Sequence, residues 1–105
     1  MTSQIKETFG EYIKRNRLSQ RFTLTELAAK LKLDSANLSK IENGKRELNQ
    51  ERLPLLAKAL NLNALHIKEE YFSDIIAKKL YENNCADSVL ELAEEKVKYY
   101  RSLNK

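Results

Sequence analysis

The chain predicts an all-α fold, and three observations carry that expectation. Leu, Ile and Ala recur at helical spacing over most of its length. Only two Gly and one Pro are present to interrupt helices. Hydrophobic residues make up 42% and charged residues 32%, the balance of a globular chain with a core and a solvated surface. Its 105 residues suit one compact domain, or a small one with an appendage.

Residues 1–7 read as a frayed start. From about Thr8 to residue 19, Phe9, Tyr12, Ile13 and Leu18 supply the apolar face of a first helix, with Lys14, Arg15 and Arg17 between and beside them. Leu24, Leu27, Ala28 and Leu31 then fall at i, i+3, i+4 and i+7, one stripe of a second, short helix. Thr23 just before it, with Glu26 three residues on, makes a capping box in which each side chain satisfies the other residue's free backbone N–H. The stripe stops at Leu33. Asp34 offers a fresh N-cap, and Leu38 with Ile41 sets the buried side of a third helix. Asn43-Gly44 ends it, since both residue types accept left-handed backbone at little cost. Two short helices joined by about three residues form a helix-turn-helix unit.

The outer face of the third helix, Ser35, Ala36, Asn37, Ser39 and Lys40, is small or polar. A helix entering a groove about 12 Å wide gains from short side chains that carry donors and acceptors. Asn43, Lys45 and Arg46 follow, an amide and two cations suited to phosphate oxygens. A solvated helix is polar outside for no further reason, so this face alone leaves both readings open.

The whole pattern of residues 23–46 tips the balance, because it resembles the DNA-binding helix-turn-helix of the Cro/Xre phage-repressor family. E-L-A at 26–28, Leu31, a turn, L-S-K-I at 38–41 and E-N-G-K-R at 42–46 occur in register. With flanking helices near 8–19 and 50–60, the resemblance covers residues 5–62. It implies a five-helix-type repressor-like helix-turn-helix core, double-stranded DNA as partner, and a homodimer on an operator of two related half-sites. Ser35, Ala36, Asn37, Ser39 and Lys40 are the expected base readers, and Thr23, Thr25, Asn43, Lys45 and Arg46 the expected phosphate contacts. Arg17 stands where the family places an arginine that pairs with the glutamate matched by Glu42, an ion pair tying the first helix to the third. This chain departs from the family at Leu24, where Gln is frequent, and at Arg21 and Lys32, where Gly is common. If the backbone at Lys32 is left-handed, that residue costs about 1 kcal/mol.

Past Arg46, Leu48 re-enters the core and Asn49 caps a fourth helix carrying Leu53, Leu56, Ala57, Leu60 and finally Leu62. Pro54 is tolerable only near a helix start, which puts the regular part at Glu51–Leu53 onward. Asn61-Leu62-Asn63 reads as a stop and a new cap, so residues 1–63 form the DNA-binding domain and 64–105 a C-terminal two-helix extension. Leu65, Phe72, Ile75, Ile76 and Leu80 line one side of a helix to about Glu82, and Asn83-Asn84 breaks it. In the last helix Ala86, Ala93 and Tyr100 are seven apart, as are Leu90 and Val97, which approximates a heptad stripe. Such a pair cannot bury both faces alone. Phe72, Ile76, Leu80, Val89, Ala93, Val97 and Tyr100 are the expected dimer contacts. Lys96, Lys98, Arg101 and Lys105 near the chain end complement the helix dipole.

The charge divides unevenly. Residues 1–50 hold ten Lys/Arg against six Asp/Glu, whereas residues 51–105 hold nine of each, so the net +4 lies with the helix-turn-helix half. No catalytic constellation appears. His66 has no metal-spaced partner and Cys85 no nearby His, and each reads as an ordinary structural residue. Tyr99-Tyr100 reads as packing, and Glu91, Glu94 and Glu95 as a solvated face. No metal, no cofactor and no enzymatic activity are expected. No apolar run is long enough to span a membrane, no signal-peptide core opens the chain, and one cysteine suits a reducing cytoplasm. The expectation is a cytoplasmic, sequence-specific transcriptional regulator, a repressor or autoregulator of phage, restriction-modification controller or antitoxin type. The alternative is a protein-interaction module that uses the helix-turn-helix as scaffold and helices 64–103 to hold a partner.

Overall fold

The computed structural model describes residues 6–104, and all regular structure among them is helical. The fraying expected at residues 1–7 falls largely outside the described residues, as does Lys105. The helices are α1 (Phe9–Ser19), α2 (Leu24–Lys30), α3 (Ser35–Glu42), α4 (Leu53–Leu60), α5 (Ala64–Glu82) and α6 (Asp87–Leu103), with one 3-10 turn, Gln50–Arg52, running into α4. No described helix is long and apolar enough to cross a membrane.

Short polar side chains start the early helices. Thr8 and Glu11 form a capping box on α1, with Thr8 N–H donating to Glu11 Oε1 at 2.9 Å and Glu11 N–H to Thr8 Oγ1 at 3.1 Å. Thr23 and Glu26 repeat it on α2, at 2.7 and 3.0 Å. Asp34 Oδ1 accepts from Asn37 N–H at 2.7 Å on α3, and Asn63 Oδ1 accepts from His66 N–H at 2.9 Å at the start of α5. Each such cap is worth about 1 kcal/mol. Left-handed residues turn the chain between helices: Arg21 (φ 62), Lys32 (φ 59), Gly44 (φ 75), Asn61 (φ 52) and Asn84 (φ 51).

The chain forms two compact units, the first reaching Asp74 and the second starting at Ile75. In the first, Ile13, Leu27, Leu31, Leu38, Leu48, Leu56, Leu60 and Ile67 are fully buried. Compactness continues past Asn63 because Ile67 and Tyr71, one turn apart on α5, belong to this core. The Tyr71 hydroxyl donates to Leu48 O at 2.6 Å, and its ring meets Phe9 edge-on at 5.2 Å. Two expected core residues lie outside: Leu18 is 55% exposed and Leu65 67%. On α1 the buried line is Phe9, Ile13 and Arg17, and Leu18 lies about 100° around the helix from Arg17. On α5 the inward line is set by Ile67 and Tyr71, and Leu65 falls about 200° from Ile67.

The second unit contains the end of α5, the turn after it and α6. Asn84 N–H bonds Tyr81 O at 3.2 Å and Cys85 N–H bonds Leu80 O at 3.0 Å, closing α5. From Tyr81 to Asn104 every residue is exposed.

Candidate nucleic-acid interface

The helix-turn-helix is α2, the turn at residues 31–34 and α3. Leu38, Ile41 and Glu42 are the buried residues of α3, so by helical geometry Ala36 and Lys40 look outward, and both are exposed. Asn37 and Ser39 occupy the two flanks, Ser35 lies nearer the buried side, and all three are half-buried. Of the five expected base readers, Ala36 and Lys40 therefore point away from the core, and Ser35, Asn37 and Ser39 border them on one two-turn helix.

What holds α3 is a buried ion pair. Arg17 Nε donates to Glu42 Oε2 at 2.7 Å and Nη2 to Oε1 at 3.1 Å, a two-point contact between side chains that are 8% and 5% exposed as residues. Nη1 donates to Phe22 O at 3.0 Å, so one guanidinium joins α1, the α1–α2 link and the end of α3. A second tie was not visible in the sequence. Gly10 lies against the α3 backbone so closely that a Cβ there would collide with Ile41 O and stand 2.6 Å from Glu42 O. Its signal was a lone Gly within an otherwise helical run.

Past α3, Gly44 N–H bonds Ile41 O at 3.1 Å and Lys45 N–H bonds Lys40 O at 2.8 Å, closing the helix as Asn43-Gly44 leads one to expect. Asn43 Nδ2 donates back to Ser39 O at 2.9 Å. Lys45 and Arg46 are exposed. Arg46 folds alongside α3, and its Nη1 donates to Asn37 Oδ1 at 2.9 Å. At the other end of the unit, Thr23 and Thr25 are exposed, and the Thr23 hydroxyl is occupied by its capping box. That box donates the Thr23 N–H to Glu26, which holds the carboxyl below its ordinary pKa. Sequence reasoning also missed Arg52, whose Nε donates to Leu31 O at 2.9 Å and so caps α2 and braces the turn from 21 residues away.

The residues expected at a dimer contact divide. Phe72 is half-buried in the first unit, its ring edge-on to Tyr71 at 5.0 Å. Ile76, Leu80, Val89, Ala93, Val97 and Tyr100 lie in the second unit, and all but the half-buried Leu80 are exposed. Leu92, Tyr99 and Leu103, outside the expected stripe, are exposed there as well. His66 lies 3.7 Å from Glu69 and 3.9 Å from Glu70, and no cluster of metal-ligating residues occurs among the described residues.

A family model described as helix-turn-helix matches residues 13–67. No curated protein is a detectable relative by sequence. Among solved structures, the clp gene regulator ClgR of Corynebacterium glutamicum is 25% identical with a TM-score of 0.55, over 81% of this chain and 88% of that one. The restriction-modification controller protein C.Esp1396I is 31% identical with a TM-score of 0.52, over 64% of this chain and 86% of that one. The SinR/SinI complex is 18% identical, a likeness of fold alone, with a TM-score of 0.52 over 90% of this chain and 99% of that one.

Proposed function

This chain belongs to the helix-turn-helix family, of the Cro/C1 type, and from that premise we propose that it regulates transcription by binding a two-half-site DNA operator as a homodimer. The observation that carries the reading is α3, pinned on its inner side by the buried Arg17–Glu42 pair and presenting Ala36 and Lys40 outward. A reader helix must be rigid, because each error in its placement is repeated at every base pair it touches. Ser35, Ala36, Ser39 and Lys40 meet base edges in the major groove. Lys45, with Thr23, Thr25 and Asn43, meets phosphates along the groove walls. Family and fold are those of regulators rather than enzymes.

One such helix reads only a few base pairs. Two copies related by a two-fold axis set their α3 helices about 34 Å apart, in successive major grooves. The second unit supplies the contact, with Ile76, Val89, Val97 and Tyr100 among its exposed apolar residues. Burial of even about 800 Å² of such surface favours association by up to about 20 kcal/mol before ordering and association costs are subtracted. Operator occupancy then follows the protein's own concentration through dimerisation.

Duplex binding at two salt concentrations, with sedimentation of the same samples, tests this. A dimer that selects a palindromic sequence from a randomised pool is expected. Lys45→Ala should weaken all duplexes alike and reduce the salt slope by about one. Lys40→Ala should lose about 1–3 kcal/mol of discrimination at particular base pairs. Absence of any duplex binding would favour a protein-interaction module, for which the exposed apolar residues of α6 are the specific support.

A further inference from the structure

Sequence alone sets Asn37 against base edges and Arg46 against phosphate. The structure joins the two side chains. Asn37 Oδ1 accepts from Arg46 Nη1 at 2.9 Å, and Asn37 Nδ2 donates to Asp34 Oδ2 at 3.2 Å. Chemistry fixes the orientation of this amide: a guanidinium only donates and a carboxylate only accepts, so the flipped amide would lose both bonds. Asp34 is itself held, its Oδ1 capping α3 through the Asn37 N–H at 2.7 Å. The result is a relay, Asp34 to Asn37 to Arg46, along one flank of the first turn of α3.

An asparagine reads adenine with its oxygen and its nitrogen together. Each atom of Asn37 keeps a lone pair or an N–H spare, but its two bonds within the protein hold the amide in one plane and oppose its turning to a base. Arg46 gives one of its five N–H donors to Asn37 and has no carboxylate partner among the described residues. The remaining fork is free, charged and anchored at the N-terminal turn of the helix, the part that contacts base edges when a recognition helix lies in the groove.

We infer that Arg46, and not Asn37, is the specificity-determining residue on this flank, reading guanine O6 and N7, and that Asn37 is the positioning residue that orients it. This rests on the proposal that α3 enters the major groove. Ordering the guanidinium before binding removes part of the side-chain entropy that a free arginine loses on contact.

The test uses the full chain. The unaltered protein selects its sequence from a randomised duplex pool, and Arg46→Ala, Arg46→Lys and Asn37→Ala are then measured against that duplex and every single-base-pair variant of it. The expected result is that Arg46→Ala and Arg46→Lys each lose a roughly ten- to hundredfold preference for guanine at one position of each half-site, other positions being unchanged. Lysine keeps the charge but lacks the planar fork. Asn37→Ala should weaken the same preference, and add nothing to the loss in Arg46→Ala. The inference is overturned if Arg46→Ala lowers affinity evenly for all duplexes and Arg46→Lys restores it, for then Arg46 serves a phosphate. It is also overturned if Asn37→Ala changes preference at a different base pair. Both results leave DNA recognition by α3 standing, whereas a protein that selects no sequence overturns that reading and this inference together. Arg46→Lys leaves α3 and its cap untouched, so its outcome decides even if Asn37→Ala lowers stability.

Discussion

Arg17 and Glu42, 25 residues apart in the chain, meet through two hydrogen bonds of 2.7 and 3.1 Å with almost no solvent around them. Because both charges are desolvated, the loss of one leaves the other buried without a counter-charge. Arg17→Met or Glu42→Gln alone should therefore destabilise by about 3–5 kcal/mol, and the double variant by less than the sum. Denaturant unfolding of the four proteins checks this. Strict additivity at surface-like magnitudes would mean that the pair does not act as a unit.

Gly10 is the only residue that fits where α1 crosses the backbone of α3. Gly10→Ala gains about 1 kcal/mol of helix propensity. It must also move the backbone at Ile41 and Glu42, since a Cβ has no flexible side chain to displace. Net destabilisation of about 1–3 kcal/mol is expected, together with weaker duplex binding as α3 shifts. A stabilised variant with unchanged binding would refute the tight crossing.

Arg21 and Lys32 hold left-handed backbone at φ 62 and 59. Glycine adopts that conformation without the Cβ clash. Each of Arg21→Gly and Lys32→Gly should then stabilise by up to about 1 kcal/mol, reduced somewhat by the greater entropy of glycine in the unfolded chain. Thermal midpoints measure it, and a fall in both would show the basic side chains to be supplying more than the strain removes.

Glu26 has a folded pKa below its ordinary value, chiefly because the Thr23 backbone N–H donates to it. A group of this kind contributes stability that is present above the unfolded pKa and is lost as pH falls through the folded one. Tyr12 and Tyr71 are shifted up, above all by burial, so their contribution is present below the ordinary phenol pKa and is lost as pH rises past it. Denaturant midpoints should decline on both sides of neutrality. Glu26→Gln should flatten the acid limb and Tyr71→Phe the alkaline one; unchanged limbs would count against these groups.

A chain cut after Asn63 loses Ile67 and Tyr71 from the core, so it should be markedly less stable than one cut after Asp74. On the proposed dimer contact, the 1–74 fragment should be folded and monomeric, with operator affinity reduced by orders of magnitude. A dimeric 1–74 fragment would move the contact into the first unit.

The sequence by itself determined the all-α class, the places where helices begin and the helix-turn-helix stretch. Those features are local: a threonine with a glutamate three residues on, an aspartate before Ser35, a glycine after Asn43 and a leucine every three or four positions each act within one or two turns of chain. The Thr8–Glu11 box was legible by the same spacing that revealed Thr23–Glu26. Contacts between distant segments were decided by tertiary structure. Periodicity could not say that Arg17 rather than Leu18 turns inward, because that depends on where Glu42 arrives. Nor could it foresee Gly10 against Ile41, Arg52 on the Leu31 carbonyl, or Arg46 on Asn37. Tyr71 drew the start of α5 into the first core through one hydrogen bond to Leu48 and a ring contact with Phe9, partners 23 and 62 positions away in the chain. A hydrophobic pattern shows which side of a helix avoids water; which surface covers that side is fixed only when the helices pack.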